Sequence, residues 1–229
     1  MAAELKYEYG VEDQLHKPYS IVAKVYKLVP DGCAVLDVGC YTGRFGALLK
    51  KKGCRVAGME VNPTAIERAK LVLDEVTLAD VESDNSFYGL ENKYDVILFL
   101  DVLEHCRHPE AVLKGAQTAL TQNGFVVASI PNIANWSVRK NLLLGRFDYE
   151  PMGIMDETHL RFYTIETARK LFYDAGYRIE LMEHRYSFPF FRIRKFFGGM
   201  LAKLLGPRLP GLFSYQMVIK ARPKAGELN

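Results

Sequence analysis

Cysteine is sparse in this chain of 229 residues, and the four present, Cys33, Cys40, Cys54 and Cys106, stand far apart with no C-x-x-C pair. That spacing argues against a disulfide framework and for reduced thiols. With no secretory signal at the Met1 end, the expected location is the cytoplasm. Long apolar runs are missing too. Charge, glycine or proline cuts every block well short of the roughly 18 residues a membrane span requires. Neither charge sign dominates: 30 Lys and Arg face 27 Asp and Glu, a net charge of +3. Such a balance gives no general attraction to nucleic acid, so no nucleic-acid partner is expected and any basic patch must be local. There is no internal repeat, low-complexity tract or linker that would mark a second domain. What remains is average globular composition, 49% apolar, 25% charged and 12% aromatic, enough to bury a substantial core.

Strand-like and helix-like blocks alternate along most of the length, the pattern of a parallel sheet with helices on both faces. Cys33 to Val38 reads as a buried strand. Thr42 to Lys52 reads as a helix, with Lys50, Lys51 and Lys52 in its last turn and Gly53 after it. Arg55 to Glu60 is a second strand, and Asn62-Pro63 supplies a cap and first-turn proline for a helix to about Leu73. Tyr94 to Leu100 is strongly apolar, His108-Pro109 opens a helix to about Leu120, Asn123-Gly124 reads as a turn, and Phe125 to Ile130 as another buried strand. The rhythm breaks after Pro131 into a polar, aromatic stretch. It resumes where Thr164 caps a helix to Ala175, followed by strands at Tyr177 to about Arg185 and Ser214 to Arg222.

The stretch from Val35 to Gly46 places a glycine-rich turn between a strand and a helix, where missing side chains let a ligand approach the backbone. A dinucleotide loop reads G-x-G-x-x-G and brings pyrophosphate to a helix N-terminus. Here Gly39 and Gly43 are four apart and Asp37 precedes them, an acid that repels phosphate. Asp37 can instead orient the loop or meet a cationic amino group, while Glu60 at the next strand end suits bidentate hydrogen bonding to a ribose diol. The pair fits an aminoacyl-nucleoside without phosphates. A nicotinamide-dependent reductase on the same topology and a non-catalytic cofactor-binding module stay open as alternatives.

At these residues, from about Val35 to Tyr177 and again in the last strand, the chain resembles the class I S-adenosylmethionine-dependent methyltransferases. The resemblance implies a Rossmann-like doubly wound α/β fold, a mainly parallel seven-stranded sheet with helices on both faces and an antiparallel last strand. It implies S-adenosyl-L-methionine as cofactor. Asp37, Gly39 and Gly43 fall on the methionine-binding loop, and Tyr41 takes the place of its usual middle glycine, which narrows the pocket or sets a ring beside the cofactor. Glu60, followed by Val61, falls on the ribose-binding acid, Asp80 and Val81 on the adenine-recognising pair, and Leu100 and Asp101 beside the methionine moiety. Asp80 alternatively belongs to a solvated acidic run with Glu82 and Asp84. Pro131-Asn132 and the run from Asp156 to Tyr163 resemble a subgroup often associated with O-methylation of small molecules and glycans. No Asn/Asp-Pro-Pro-aromatic turn stands at Leu100 to Leu103, which argues against DNA bases as acceptor.

Methyl transfer from a sulfonium expels a neutral thioether, so in-line positioning can supply up to roughly 7–11 kcal/mol of the barrier reduction. A hydroxyl acceptor must also lose a proton, and a base typically contributes about 10²–10⁴-fold. His105 and His159 are the candidates for that role. The plainer alternatives are a backbone-bonded helix-entry residue for His105 and a structural tie to Asp156 for His159. His105 and His108, with Asp101 and Glu104 nearby, lack metal-ligand spacing, so no metal is expected. Trp136, Phe147, Tyr149, Phe162 and Tyr163 interleave with Asn132, Asn135, Arg139 and Arg161, a mixture suited to a sugar or aromatic acceptor or to a packed cap over the sheet.

The expected organisation is one domain over 1–229, with a helical cover in 1–30, a substrate-side insertion at 131–163 and a basic amphipathic segment at 186–213. In the last, Ile193, Phe196, Phe197, Met200, Leu201, Leu204 and Leu205 recur at helical spacing with Arg192, Arg194, Lys195 and Lys203 elsewhere on the wheel. The helix expected from Arg192 to Leu205 can pack on its own core, close a homodimer through 190–213, or meet an anionic membrane and a lipid-linked acceptor.

Overall fold

A computed structural model of the chain describes residues 11–17, 19–84, 86–189 and 204–224. Strands β1 (Ala34–Val38), β2 (Arg55–Glu60), β3 (Glu75–Leu78), β4 (Tyr94–Leu100), β5 (Leu120–Pro131), β6 (Tyr177–Tyr186) and β7 (Ser214–Pro223) form one seven-stranded sheet in the order β3-β2-β1-β4-β5-β7-β6. The β1 to β5 ladders are parallel, and β7 runs antiparallel to both β5 and β6. From β1 the chain builds outward to β3 and then crosses over to β4. The order therefore reverses between β1 and β4, and their carboxyl ends diverge into the crevice where ligands of such sheets bind.

Alternation along each strand splits the core into two layers. Leu36, Val38, Ile97, Phe99, Val126 and Ala128 face one side, against Leu113 and Ala116 of α5 (Pro109–Ala119) and Ala168 and Phe172 of α7 (Ile165–Asp174). Val35, Val96, Leu98 and Val127 face the other, against Val25 of α2 (Ile21–Leu28), Phe45, Leu48 and Leu49 of α3 (Arg44–Lys50) and Ala69 of α4 (Pro63–Ala69). Burial on both faces is why these strands read as unbroken apolar runs. The helical cover is α1 (Val11–Leu15) and α2, the latter capped by Ser20, whose Oγ accepts from Ala23 N at 3.0 Å. All four thiols are buried and free.

Several boundaries shift for physical reasons. α3 starts at Arg44 rather than Thr42 because the glycine loop continues through Gly43. α4 stops at Ala69, with turns to Leu73. Asn123 and Gly124 lie within β5 at an irregularity where the ladder jumps from Tyr94↔Leu120 to Val96↔Phe125. The stretch after Pro131 is not irregular throughout: α6 (Trp136–Leu143) forms where Asn135 Oδ1 accepts from Ser137 N at 3.1 Å. The helix expected at Arg192 to Leu205 falls, up to residue 203, outside the described residues; a short α8 (Pro210–Phe213) precedes β7.

Candidate active site

The loop from β1 to α3 contains three residues in the left-handed region, Gly39 (φ 72°), Tyr41 (φ 50°) and Gly43 (φ 76°). Gly39 N donates to Met59 O at 2.8 Å and Gly43 N to Cys40 O at 2.9 Å, which folds the loop back over the end of β2. A Cβ on Gly39 would stand 2.7 Å from Val102 Cγ2. On Gly43 it would stand 2.7 Å from Val72 Cγ2 and 3.2 Å from the Ala69 backbone, so both glycines are dictated by conformation and by space. Tyr41 takes the conformation a glycine would adopt, at a cost of roughly 1–2 kcal/mol, and its N–H is secured by Glu60 Oε2 at 2.8 Å. Gly43→Ala combines the strained φ with the contact and is expected to lower stability by about 2–3 kcal/mol, read as a smaller urea midpoint with an unchanged slope.

The acids sit where the sequence placed them in the chain, at strand ends, but their partners differ from the simple expectation. Glu60 is buried, and its Oε1 accepts from Val61 N (2.9 Å) and Asn62 N (2.8 Å) in addition to the Tyr41 bond on Oε2. A carboxylate offers about four acceptor positions, so one position on Oε2 is left for a ligand hydroxyl rather than both oxygens for a diol. Asp37 is 3% exposed, paired in register with Gly58 and Leu98. Burial, with the negative charge of Glu60 second, pushes its carboxyl up to about 7. Asp80 is exposed just past β3, which Ala79 N ties to Glu60 O at 2.9 Å. Its Oδ1 accepts from Glu82 N at 2.9 Å, and Glu82 in turn accepts from Arg107 N (2.9 Å) and His108 N (2.6 Å) at the start of α5. Glu82 is thus a helix-capping acid rather than part of a solvated run. Val61 is exposed, and Val81 and Leu100 are half-buried. Asp101, at φ 56°, turns its carboxylate toward β5 and β7, where Oδ1 accepts from Ser129 Oγ (2.9 Å) and Gln216 Nε2.

Beyond Asp101, a 3-10 turn, Leu103–His105, carries the first candidate imidazole. Leu160 N and Arg161 N both donate to Glu104 O at 2.9 Å, clamping the 156–163 segment onto this turn. The clamp brings the rings of His105 and His159 to 4.8 Å between centroids, edge to face. His105 Nδ1 lies 3.1 Å from Thr158 O, and His159 Nδ1 lies 3.1 Å from Ile154 O. A carbonyl can only accept, so in the neutral rings each Nδ1 carries the proton and each Nε2 the lone pair. The expected tie of His159 to Asp156 exists through the backbone, where His159 N donates to Asp156 O at 3.1 Å.

From His159 an edge-to-face row runs outward through Phe162 (6.1 Å) and Phe147 (6.2 Å) to Tyr149 (5.7 Å). Phe147 and Tyr149 are exposed. Other residues expected around an acceptor have structural work instead. Asn132 and Asn135 are fully buried, each donating from Nδ2 to Ser214 O at 2.9 Å. Trp136 Nε1 donates to Ser187 Oγ, Arg139 Nε to Ala134 O, and Arg161 Nη2 to Arg107 O, while Tyr163 is part of the core. The sequence shows Glu104 only as an acid near His105 and His108; its burial comes from the fold. Its side chain is 1% exposed, neither carboxylate oxygen has a hydrogen-bond partner, and burial, followed by the charge of Asp101, holds it protonated well above the usual range.

With this geometry in place, comparison with known proteins adds three findings. A family model described as a methyltransferase domain matches residues 14–181. A ubiquinone biosynthesis O-methyltransferase of Bradyrhizobium diazoefficiens is 31% identical over 107 residues, 46% of this chain and 42% of that protein. The chain spans just under half the length of the curated relatives it matches. Among solved structures, a SAM-dependent methyltransferase from Archaeoglobus fulgidus superposes with a TM-score of 0.65 at 18% identity, covering 94% of this chain and 96% of that one. Another from Thermotoga maritima, titled a possible histamine N-methyltransferase, gives 0.63 at 17% identity, covering 93% and 92%. Both show the same fold.

Proposed function

The chain belongs to the methyltransferase-domain family, and from that premise we propose that it is an S-adenosyl-L-methionine-dependent methyltransferase acting on a hydroxyl of a small aromatic molecule. The observation that carries the cofactor reading is the placement of two buried acids, Asp37 and Glu60, beside a tight loop whose Gly39 and Gly43 take left-handed conformations. Asp37, directly before the loop, is placed to repel a pyrophosphate, which argues against the reductase alternative, and it suits a ligand with an ammonium and a sulfonium. When bound, the cofactor supplies an electrophilic methyl group whose departure leaves a neutral thioether. Asp37 meets the cationic amino group, Glu60 Oε2 accepts from a ribose hydroxyl, and Gly39, Tyr41 and Gly43 line the methionine side with Leu100 and Asp101. Val61 flanks the ribose, and Asp80 with Val81 faces the adenine.

On the acceptor side, the row from Tyr149 to His159 offers stacking faces to an aromatic ring and ends at two imidazole Nε2 lone pairs. His159 is the general base and His105 its neighbour: as the acceptor oxygen bonds to the methyl carbon and the carbon–sulfur bond breaks, the hydroxyl proton passes to Nε2. The O-methyltransferase names of the curated relatives support this class of acceptor. For a lipid-linked acceptor, the basic pattern in 190–213 provides a peripheral membrane contact; among the described residues no helix is long and apolar enough to cross a membrane. The test is methyl transfer from labelled S-adenosylmethionine to a panel of mono- and dihydroxylated arenes. At least one methyl ether product is expected; binding of S-adenosylhomocysteine without transfer to any member would favour the non-catalytic module.

A further inference from the structure

The cations of β6 and β7 are not treated alike. Arg178, Lys220 and Arg222 all pair with Glu180, toward the end of these strands remote from the crevice. Arg185 stands at the other end of β6, on the side where β1 and β4 also end, and among the described residues no carboxylate pairs with it. We propose that Arg185 is an acceptor-specificity residue whose guanidinium binds a carboxylate carried by the aromatic acceptor, so that the preferred substrates are hydroxylated aromatic acids. The proposal rests on the O-methylation reading and adds the substrate class to it.

The place of Arg185 is set by the ladder. Arg185 is opposite Gln216 and Tyr186 is opposite Ser214, which leaves Tyr215 as the extra residue of a β-bulge. Bulges bend a strand and re-aim its side chains, and they recur beside active sites. Directly opposed residues share a face of the sheet, and Gln216 is the residue whose Nε2 donates to Asp101 Oδ1. Arg185 therefore lies on the face from which the methionine-side acid is held. Its orientation comes from Tyr215: Arg185 Cζ is 5.1 Å from the centroid of that ring, a cation–π contact that steadies the guanidinium and leaves its N–H fork for a ligand. Tyr215 in turn abuts the segment that positions the base. A Cβ on Gly153 would stand 2.8 Å from the Tyr215 hydroxyl oxygen, and the next residue, Ile154, supplies the carbonyl that holds His159 Nδ1.

Electrostatics agree with this placement. Burial raises the carboxyl of Asp101, and the hydrogen bonds from Ser129 and Gln216, followed by the charges of His105 and Arg185, oppose the rise. A candidate imidazole and the guanidinium thus act on the same residue at the methionine side. Asp101 does not occupy Arg185, because its carboxylate is turned to Ser129 and Gln216. A planar fork of N–H donors matches a carboxylate through two parallel hydrogen bonds, whereas an unsubstituted ring gives it no acceptor.

The test compares two acceptors that differ only in the carboxylate, 3,4-dihydroxybenzoate and catechol, on the full chain. Binding is measured by calorimetry with and without S-adenosylhomocysteine, and methyl transfer separately. The parent is expected to bind the benzoate at least tenfold more tightly than catechol. Arg185→Met, which keeps a long side chain over Tyr215, is expected to weaken benzoate binding by about 10- to 150-fold, the worth of a hydrogen bond to a charged group. In kinetics the loss falls on KM, while affinities for catechol and S-adenosylhomocysteine stay within about twofold. Arg185→Lys keeps the charge without the fork and should fall in between, and it supplies the reading if circular dichroism shows the Met variant misfolded. A merely structural role would weaken both acceptors alike. Equal affinity for the two acceptors in the parent, binding of neither, or an undiminished benzoate preference in the folded variants overturns the proposal. Benzoate-selective binding that is lost in Arg185→Met, without any methyl transfer, would remove the O-methylation reading and keep the carboxylate site. Transfer to both acceptors with one KM in parent and variants would do the reverse.

Discussion

Asp37→Asn is expected to make the ligand-free protein more stable at pH 8 and a much poorer binder of S-adenosylhomocysteine. The carboxyl of Asp37 rises from 3.8 to about 7 on burial beside Glu60. The folded state therefore holds a proton that the unfolded chain has released between those values. Stability falls wherever the folded state binds more protons and the pH rises. The favourable contribution is full below about pH 4 and is lost as the pH climbs through 7, a change of about 4 kcal/mol at 1.36 kcal/mol per pH unit. Asparagine cannot ionise and escapes that loss, so roughly 2–4 kcal/mol returns at pH 8, on the order of 10 °C in Tm for a chain of this size. The same substitution removes a charged hydrogen-bond acceptor, about 1.5–3 kcal/mol of binding, which is roughly 10- to 150-fold in Kd. In the parent protein a bound ammonium needs the ionised acid, so affinity should rise with pH up to about 7 and then level; the variant should show no such rise. Thermal melts and calorimetric titrations from pH 5 to 8.5 check both signs, and equal melts of the two proteins at pH 8 would contradict the account of Asp37.

His159→Ala is expected to lower turnover by about 10²–10⁴-fold while leaving cofactor affinity within about twofold. His159 is 9% exposed, its ring held at Nδ1 by Ile154 O and packed edge to face on His105 and Phe162, so its Nε2 is positioned rather than roaming. Removing it forfeits the proton acceptor, whose usual worth sets the range, and also strips a buried carbonyl of its donor at about 1–2 kcal/mol of stability. A loss confined to kcat with S-adenosylhomocysteine binding retained identifies a role in the chemical step. Turnover within threefold of the parent in a folded variant would assign the rate to positioning alone.

Much of the fold is legible because buried parallel strands announce themselves: Arg55–Glu60 and Tyr94–Leu100 stand in the structure with the bounds their apolar runs suggest. Local chemistry does the same for Asn62-Pro63 and for Thr164, whose cap is completed by Thr167. Edge strand β3 escapes, since Glu75, Thr77 and Leu78 are exposed and four residues carry little pattern. Helix α6 escapes because only Val138 in it is buried. At the site, the glycine loop and its acids lie close in sequence and can be read together. The meeting of His105 with His159 cannot be, since backbone bonds bring His159 in from a segment with no periodic signal. Asn132 and Asn135 mislead for the opposite reason, being polar side chains in a candidate binding stretch that satisfy the buried Ser214 carbonyl instead.

The central claim, that the crevice between β1 and β4 holds S-adenosylmethionine through the loop and Glu60, is tested most directly by calorimetric titration of the chain and of Glu60→Ala with S-adenosylhomocysteine. The parent is expected to bind one equivalent. Glu60→Ala, which loses a ribose acceptor together with the anchor for Tyr41 N, Val61 N and Asn62 N, is expected to bind about 5- to 150-fold more weakly, the worth of about 1–3 kcal/mol. No binding by the folded parent, or the same affinity in a folded Glu60→Ala, would contradict it.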